Sequence, residues 1–176
     1  MRLRVNLNKF FLATVGSWLP CRRHPFGSIA NMLRVHFARQ ICTKVGKGCL
    51  IEKGASFNEG AVLEDFSAVG VNCFIDSGVT ILGHNMMGPE VKIYSRSHFY
   101  SEEDHQFKGY TPPKKVVIGE YSWIGTRVLV MPGATIGNHT IIGGGAVVTK
   151  VIPDGVMAAG NPCVVKKIID KEYYRG

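Results

Sequence analysis

The chain has 176 residues and a mass of 19.3 kDa, enough for one domain and one core. Apolar residues make up 45% and charged residues 19%, a globular balance that excludes a disordered chain. A net charge of +8 asks for an anionic partner without choosing among nucleic acid, an acidic membrane face and a phosphorylated small molecule.

Residues 1–44 do not repeat. A basic start, MRLRVNLNK, leads into FFLATVGSWLP over Phe10–Pro20, too short for a spanning helix and followed by Cys21-Arg22-Arg23 instead of a small-x-small cleavage site. The segment is expected to be retained, with a short apolar helix over Leu7–Leu19. Ser28–Cys42 places apolar residues at 29, 32, 33, 37 and 41, a helical spacing. Together these helices are expected to form an arm over residues 1–44 that caps one end of the fold.

From Val45 the chain repeats with a period of six. Val45, Ile51, Phe57, Leu63, Val69, Ile75, Ile81, Met87 and Ile93 recur at that spacing, and Ile118, Ile124, Val130, Ile136, Ile142 and Val148 resume it. A small residue follows most of these anchors by four positions, Asn85 and Ile152 excepted. Gly follows by one at 46, 70, 88, 119, 125, 137 and 143, which suggests turns that need positive φ. Neither a helix nor an alternating strand has this period. Six-residue repeats build a parallel β-helix, three to a coil of about 18 residues, so the two blocks imply about five coils. The repeats are expected over 45–153. Between the blocks, residues 99–117 carry no anchor and shift the register by one, so they must loop out, and a loop of that length is usually functional. At the end, residues 154–176 include VVKKIIDKEYY, which suggests a strand leading into a short helix.

Five scattered Cys show no metal-ligand spacing and suggest reduced thiols in a reducing compartment, with Cys49 and Cys73 packed in the small column. His84 and His139 fall at turns and are expected to be solvated.

The stretch WIGTRVLVMPGATIGNHTIIGGGAVVTKVIPDGVMAAGNPCVVKKI, with GPEVKIYSRSH before it, resembles the hexapeptide-repeat acyltransferases. Within them it is similar to the maltose/galactoside acetyltransferase-like group, and most to the capsule and exopolysaccharide members. The likeness covers about residues 45–169. It implies a left-handed winding, a homotrimer, and transfer of acetyl from acetyl-CoA to a sugar hydroxyl in the cytoplasm, without a metal. In the family pattern the catalytic His falls on His98, which suits the chemistry, because a sugar hydroxyl needs a base that works near neutral pH. An acceptor-site acid falls on Asp76, while the family's acceptor-site Asn position is Ala68 here, so a simple galactoside or maltose acceptor is not implied. His105, in the loop beside Glu102, Glu103 and Asp104, is a further candidate for the acceptor. On the donor side, Trp123 falls near the cofactor arm, and Thr126 and Gly144 offer backbone N–H groups. Thr149 and Lys150 fall near the nucleotide end and Lys167 on a phosphate contact, while Val164 stands where the family has a second basic residue.

Other readings of the same residues stay open. One is N-acetylation of an amino sugar or O-acetylation of serine, since a His base serves both. Another is a non-catalytic β-helix scaffold. A zinc-dependent hydrase would need two His five residues apart, which the chain lacks. Nucleic-acid binding would need basic residues interleaved with aromatics on one surface, and it is not expected. The basic, apolar N-terminus suits peripheral contact with the inner face of a membrane.

Overall fold

The computed structural model describes residues 2–169. From Lys44 to Ala159 the chain winds as a parallel β-solenoid with three faces. The first face stacks Lys44–Val45, Val62–Leu63, Val79–Ile81, Val116–Ile118, Thr135–Ile136 and Val151–Ile152. The second stacks Leu50–Ile51, Ala68–Val69, Met86–Met87, Trp123–Ile124, Ile141–Ile142 and Val156–Ala159, with Val164–Ile168 closing it antiparallel. Ser56–Phe57, Phe74–Ile75, Lys92–Ile93, Leu129–Val130 and Val147–Val148 form the third. The turns from first to second face make a first edge, those from second to third a second edge, and those from third back to first a third edge.

The apolar anchors are the last residues of these short strands, and from Ile51 onward they point inward and are buried. Each has an equivalent one coil above and below, so the core is a set of aliphatic ladders. Truncating one such Ile to Ala costs about 2–5 kcal/mol. The small column is buried as well, Cys49 and Cys73 included, and burial pushes the Cys73 thiol up to about 11. Asn85 departs from that column for a reason: its amide bonds Leu82 O and accepts from Ser122 N, joining the coils on either side of the insertion.

Register shows how the repeat is kept and where it bends. Leu50 pairs with Ala68, 18 residues on, and Val117 with Thr135 likewise. Across the insertion Thr80 pairs with Val117, one coil plus 19 residues. Thr135 then pairs with Val151, only 16 residues on. The turn after Val148 is two residues short, and this lets Val151–Ile152 and Val156–Ala159 start a sixth, partial coil where the hexads suggest about five.

Two sequence expectations need correction. Gly119 and the other glycines one after an anchor do not have positive φ. They are required by close approach: a Cβ on Gly119 would lie 2.4 Å from the Gly137 backbone carbon one coil up. Positive φ falls instead three residues after the anchor, where it is adopted by Phe66, Asn72, His84, Glu90, Tyr121, Arg127 and His139 as well as by glycines. That conformation costs a non-glycine residue about 1–2 kcal/mol, and stacking between coils offsets it. On the first edge Phe66, His84, Tyr121 and His139 form a continuous ring stack with centroids 4.9, 4.7 and 5.1 Å apart. His84 and His139 are thus exposed yet stacked, not simply solvated.

The 99–117 segment is also not a structureless loop. His98–Ser101 and Gln106–Tyr110 form an antiparallel hairpin at the third edge. Its aromatic-rich strands pair across, Tyr100 on Phe107 at 5.1 Å and His98 on Tyr110 at 4.6 Å.

The N-terminal arm folds as α1 (Arg2–Ala13), α2 (Val15–Trp18) and α3 (Gly27–Ile41) over the first coil. Val5, Leu12, Val35, Ala38 and Ile41 join the solenoid core. Arg34 is buried and uncharged groups satisfy it: its guanidinium donates to the carbonyls of Gly16 (2.8 Å), Leu19 (2.5 Å) and Pro20 (2.8 Å). At the other end the expected strand is Val164–Ile168; the expected C-terminal helix lies outside the described residues.

Candidate active site

The third edge departs from the regular turn. Asp76 follows Phe74–Ile75 and is buried where the turns of three coils meet. Its Oδ1 accepts from Asn58 Nδ2 (2.7 Å), Ser77 N (2.8 Å) and Arg96 Nη2 (2.8 Å). Its Oδ2 accepts from Ser95 Oγ (3.0 Å) and Ser95 N (3.2 Å). Burial alone would raise the Asp76 pKa, but the bonds from Arg96, Asn58, Ser77 and Ser95 outweigh it and hold the carboxyl well below the usual carboxylate range.

This carboxylate fixes the root of the hairpin. Ser95 O accepts from Lys114 N (2.7 Å), and Ser97 and Thr111 exchange two bonds (2.8 and 3.0 Å), so both hairpin strands leave the prism from a pinned base. The Arg96 guanidinium, drawn in by Asp76, lies 5.2 Å from the Tyr110 ring centroid. The other neighbour of Tyr110 is His98, whose ring also meets Phe107 edge-on at 6.2 Å. His98 is solvent-exposed. The arrangement therefore runs from a buried anion through a cation and an aromatic ring to an exposed imidazole backed by an aromatic wall.

Other expected residues fall elsewhere. His105 is at the far tip of the hairpin, at positive φ, with Nδ1 3.4 Å from Tyr100 Oη. The structure does not bring it to Asp76. Trp123 faces outward on the second face, between Met86 and Ile141 of adjoining coils. Thr126 and Gly144 are one coil apart on the second edge, where Gly145 N donates to Thr126 O (2.8 Å) and a Cβ added at Gly145 would meet nothing. Thr149 and Lys150 follow Val147–Val148 on the third edge. Lys167 lies in Val164–Ile168, opposite Met157. A groove over the second face, lined by Arg22, Glu52, Met86 and Pro89 among others, borders the second edge and not His98.

One chain thus sets Trp123, Thr126 and Gly144 apart from His98, while Thr149 and Lys150 share the third edge with it. Sequence reasoning missed Arg96, Tyr110 and Phe107. The signal for Tyr110 was available only in part: a ring twelve residues after His98 becomes its neighbour only once the segment is known to fold back.

Comparison with known proteins agrees with the architecture. The family described as bacterial transferase hexapeptide (six repeats) matches residues 115–150. A galactoside O-acetyltransferase of Lactococcus lactis is 34% identical over 150 residues, covering 80% of this chain and 70% of that protein. A putative colanic acid biosynthesis acetyltransferase of Escherichia coli, WcaF, is 31% identical over 157 residues, covering 87% and 80%. Among solved structures, a galactoside acetyltransferase in complex with coenzyme A superposes with a TM-score of 0.67 at 26% identity, covering 97% of this chain and 82% of that one.

Proposed function

From the chain's membership of the hexapeptide-repeat acetyltransferases, whose left-handed β-helix it shares, we propose that it moves acetyl from acetyl-CoA to a hydroxyl of a sugar in a surface polysaccharide or its precursor. The observation that carries this reading is the exposed His98 imidazole, set against Tyr110 on a base that Asp76 and Arg96 make rigid.

Acetyl-CoA supplies an activated acyl carbon. His98 takes the proton of the attacking sugar hydroxyl as the new C–O bond forms, then returns it to the departing thiol sulfur. Tyr110 and Phe107 hold the imidazole and offer flat apolar surface to the sugar ring beside it. Asp76 is spoken for by donors of Asn58, Ser77, Ser95 and Arg96, so its part at the acceptor is to place Arg96 and the hairpin root. His105, at the hairpin tip, reaches the outer part of a longer acceptor.

The residues of the second edge fit the donor. The space beside Gly145 is open, and the Thr126 and Gly144 N–H groups next to it can bond the amides of the pantetheine or the carbonyl oxygen on which charge develops. Trp123 flanks that arm, and Thr149, Lys150 and Lys167 serve the nucleotide end. Because Trp123, Thr126 and Gly144 lie on the second face and second edge while His98, like Thr149 and Lys150, lies on the third edge, the site is complete only where the third edge of one copy meets the second edge of another. A cyclic homotrimer completes three such sites at once. Colanic acid in the name of WcaF favours a polysaccharide acceptor over a free sugar.

The test is release of free CoA thiol from acetyl-CoA against a panel of simple sugars, amino sugars, serine and polysaccharide precursors, with mass analysis of the acceptor. Acceptor-dependent release and an O-linked acetyl group support the reading. An N-linked product, or O-acetylserine, replaces it with the corresponding alternative. Sedimentation as a monomer at working concentration removes the shared site.

A further inference from the structure

The arm carries an apolar face that nothing in the described residues covers. On α1, Val5 and Leu12 turn inward to the core, while Leu3, Leu7 and Phe10, four and three residues apart, turn outward at 84, 53 and 61% exposure. Trp18, the last residue of α2, is 93% exposed. Soluble monomers rarely keep such a stripe bare. Nor is Trp18 a loose end. The buried Arg34 guanidinium binds the carbonyls of Gly16, Leu19 and Pro20 on both sides of it, so the ring is presented on a fixed support.

Charge says what the face meets. Eight of the 21 Lys and Arg lie in residues 1–44, and none of the 13 Asp and Glu. The remaining thirteen bases and thirteen acids cancel, so the excess of +8 belongs to residues 1–44, in which Arg34 is buried, Lys44 pairs with Glu64 and the other described bases are left to the arm's surface. A second copy of the same face is a poor occupant, since it would oppose two basic arms that carry no acid of their own. A stripe of Leu, Phe and Trp among Arg and Lys matches the headgroup boundary of an anionic bilayer, where Trp sits with its body among acyl chains and its N–H in the wet layer. No helix among the described residues is long and apolar enough to cross a membrane, so the contact is in plane.

We propose that α1 and α2 dock the protein on an anionic lipid surface, with Leu3, Leu7, Phe10 and Trp18 seated in the interface and the basic residues of the arm over the headgroups. The proposal does not rest on the acetyltransferase reading, and binding is measured without acetyl-CoA.

Co-sedimentation of the full chain with phosphatidylglycerol-containing vesicles and with pure phosphatidylcholine vesicles tests it. Binding to the anionic vesicles is expected to be at least about tenfold tighter and to weaken as salt rises. The double variant Leu7→Asp/Phe10→Asp, at two exposed positions, is expected to lose binding by about tenfold or more while keeping the wild-type circular dichroism and sedimentation coefficient. Tryptophan emission should shift to the blue on binding, and Trp18→Phe should abolish the shift with Trp123 still present. No binding to anionic vesicles overturns the proposal, as does binding that the double variant leaves intact, which would be charge alone. A changed oligomeric state in the double variant would assign the face to another copy and overturn it equally.

Discussion

The first and third edges of the prism occupy equivalent places in the hexad, yet they are built differently. On the first edge Phe66, His84, Tyr121 and His139 stack without interruption, and the turn never changes length there. On the third edge the small turn at Asp76 gives way to the hairpin, then to the shortened step after Val148. The stacked edge has traded exposed rings for continuity. The broken edge has concentrated a buried carboxylate, a guanidinium and an exposed imidazole. Two histidines of one chain therefore have opposite standing: His84 is a rung of a ladder, whereas His98 stands exposed where the turns are interrupted.

The difference can be broken most severely at Asp76. Asp76→Ala leaves Arg96 and the Ser95 N–H without their acceptor and is expected to cost about 3 kcal/mol, read as the midpoint of urea unfolding. Acid probes the same group. Its folded pKa lies below the unfolded value, so its stabilisation is complete above about pH 4 and is lost as pH falls below that, toward the folded value. Asp76→Asn should flatten this part of the stability profile; an unchanged acid limb would place the acid-sensitive group elsewhere. Gly119→Ala drives a methyl into the backbone of the coil above the first edge and is expected to cost about 1–3 kcal/mol by thermal unfolding. The smallest effect is at the ladder itself. His84→Ala removes two stacked contacts and is expected to cost about 1 kcal/mol with turnover unchanged.

Much of the solenoid is legible in the residues because each hexad repeats its own instructions: Ile75, Ile93 and Val130 mark one face before any coordinates are known. The role of glycine was less legible. Repetition of Gly119 and Gly137 looks the same whether φ or close approach demands it, and only the spacing of coils decides. Positive φ was hidden because Phe66, His84 and Tyr121 occupy it and carry no local sign of it. The sixth coil was hidden by the short step from Val148 to Ile152, which breaks the period that the reading relies on. At the candidate site, His98 stood out through its motif. Its neighbours did not, because Arg96–Asp76 and His98–Tyr110 are contacts across turns, set by where the hairpin is pinned and not by any spacing along the chain.

We propose that the chemistry belongs to the interrupted edge. The most direct measurement is thiol release from acetyl-CoA with a working sugar acceptor, run side by side for wild type, His98→Ala and His84→Ala. The expected result is a loss of about 10²–10⁴ in kcat/KM for His98→Ala, with the sedimentation coefficient and Tm kept, and near-wild-type turnover for His84→Ala. Equal turnover by wild type and His98→Ala would contradict the account, and a selective loss in His84→Ala would move the reaction to the stacked edge.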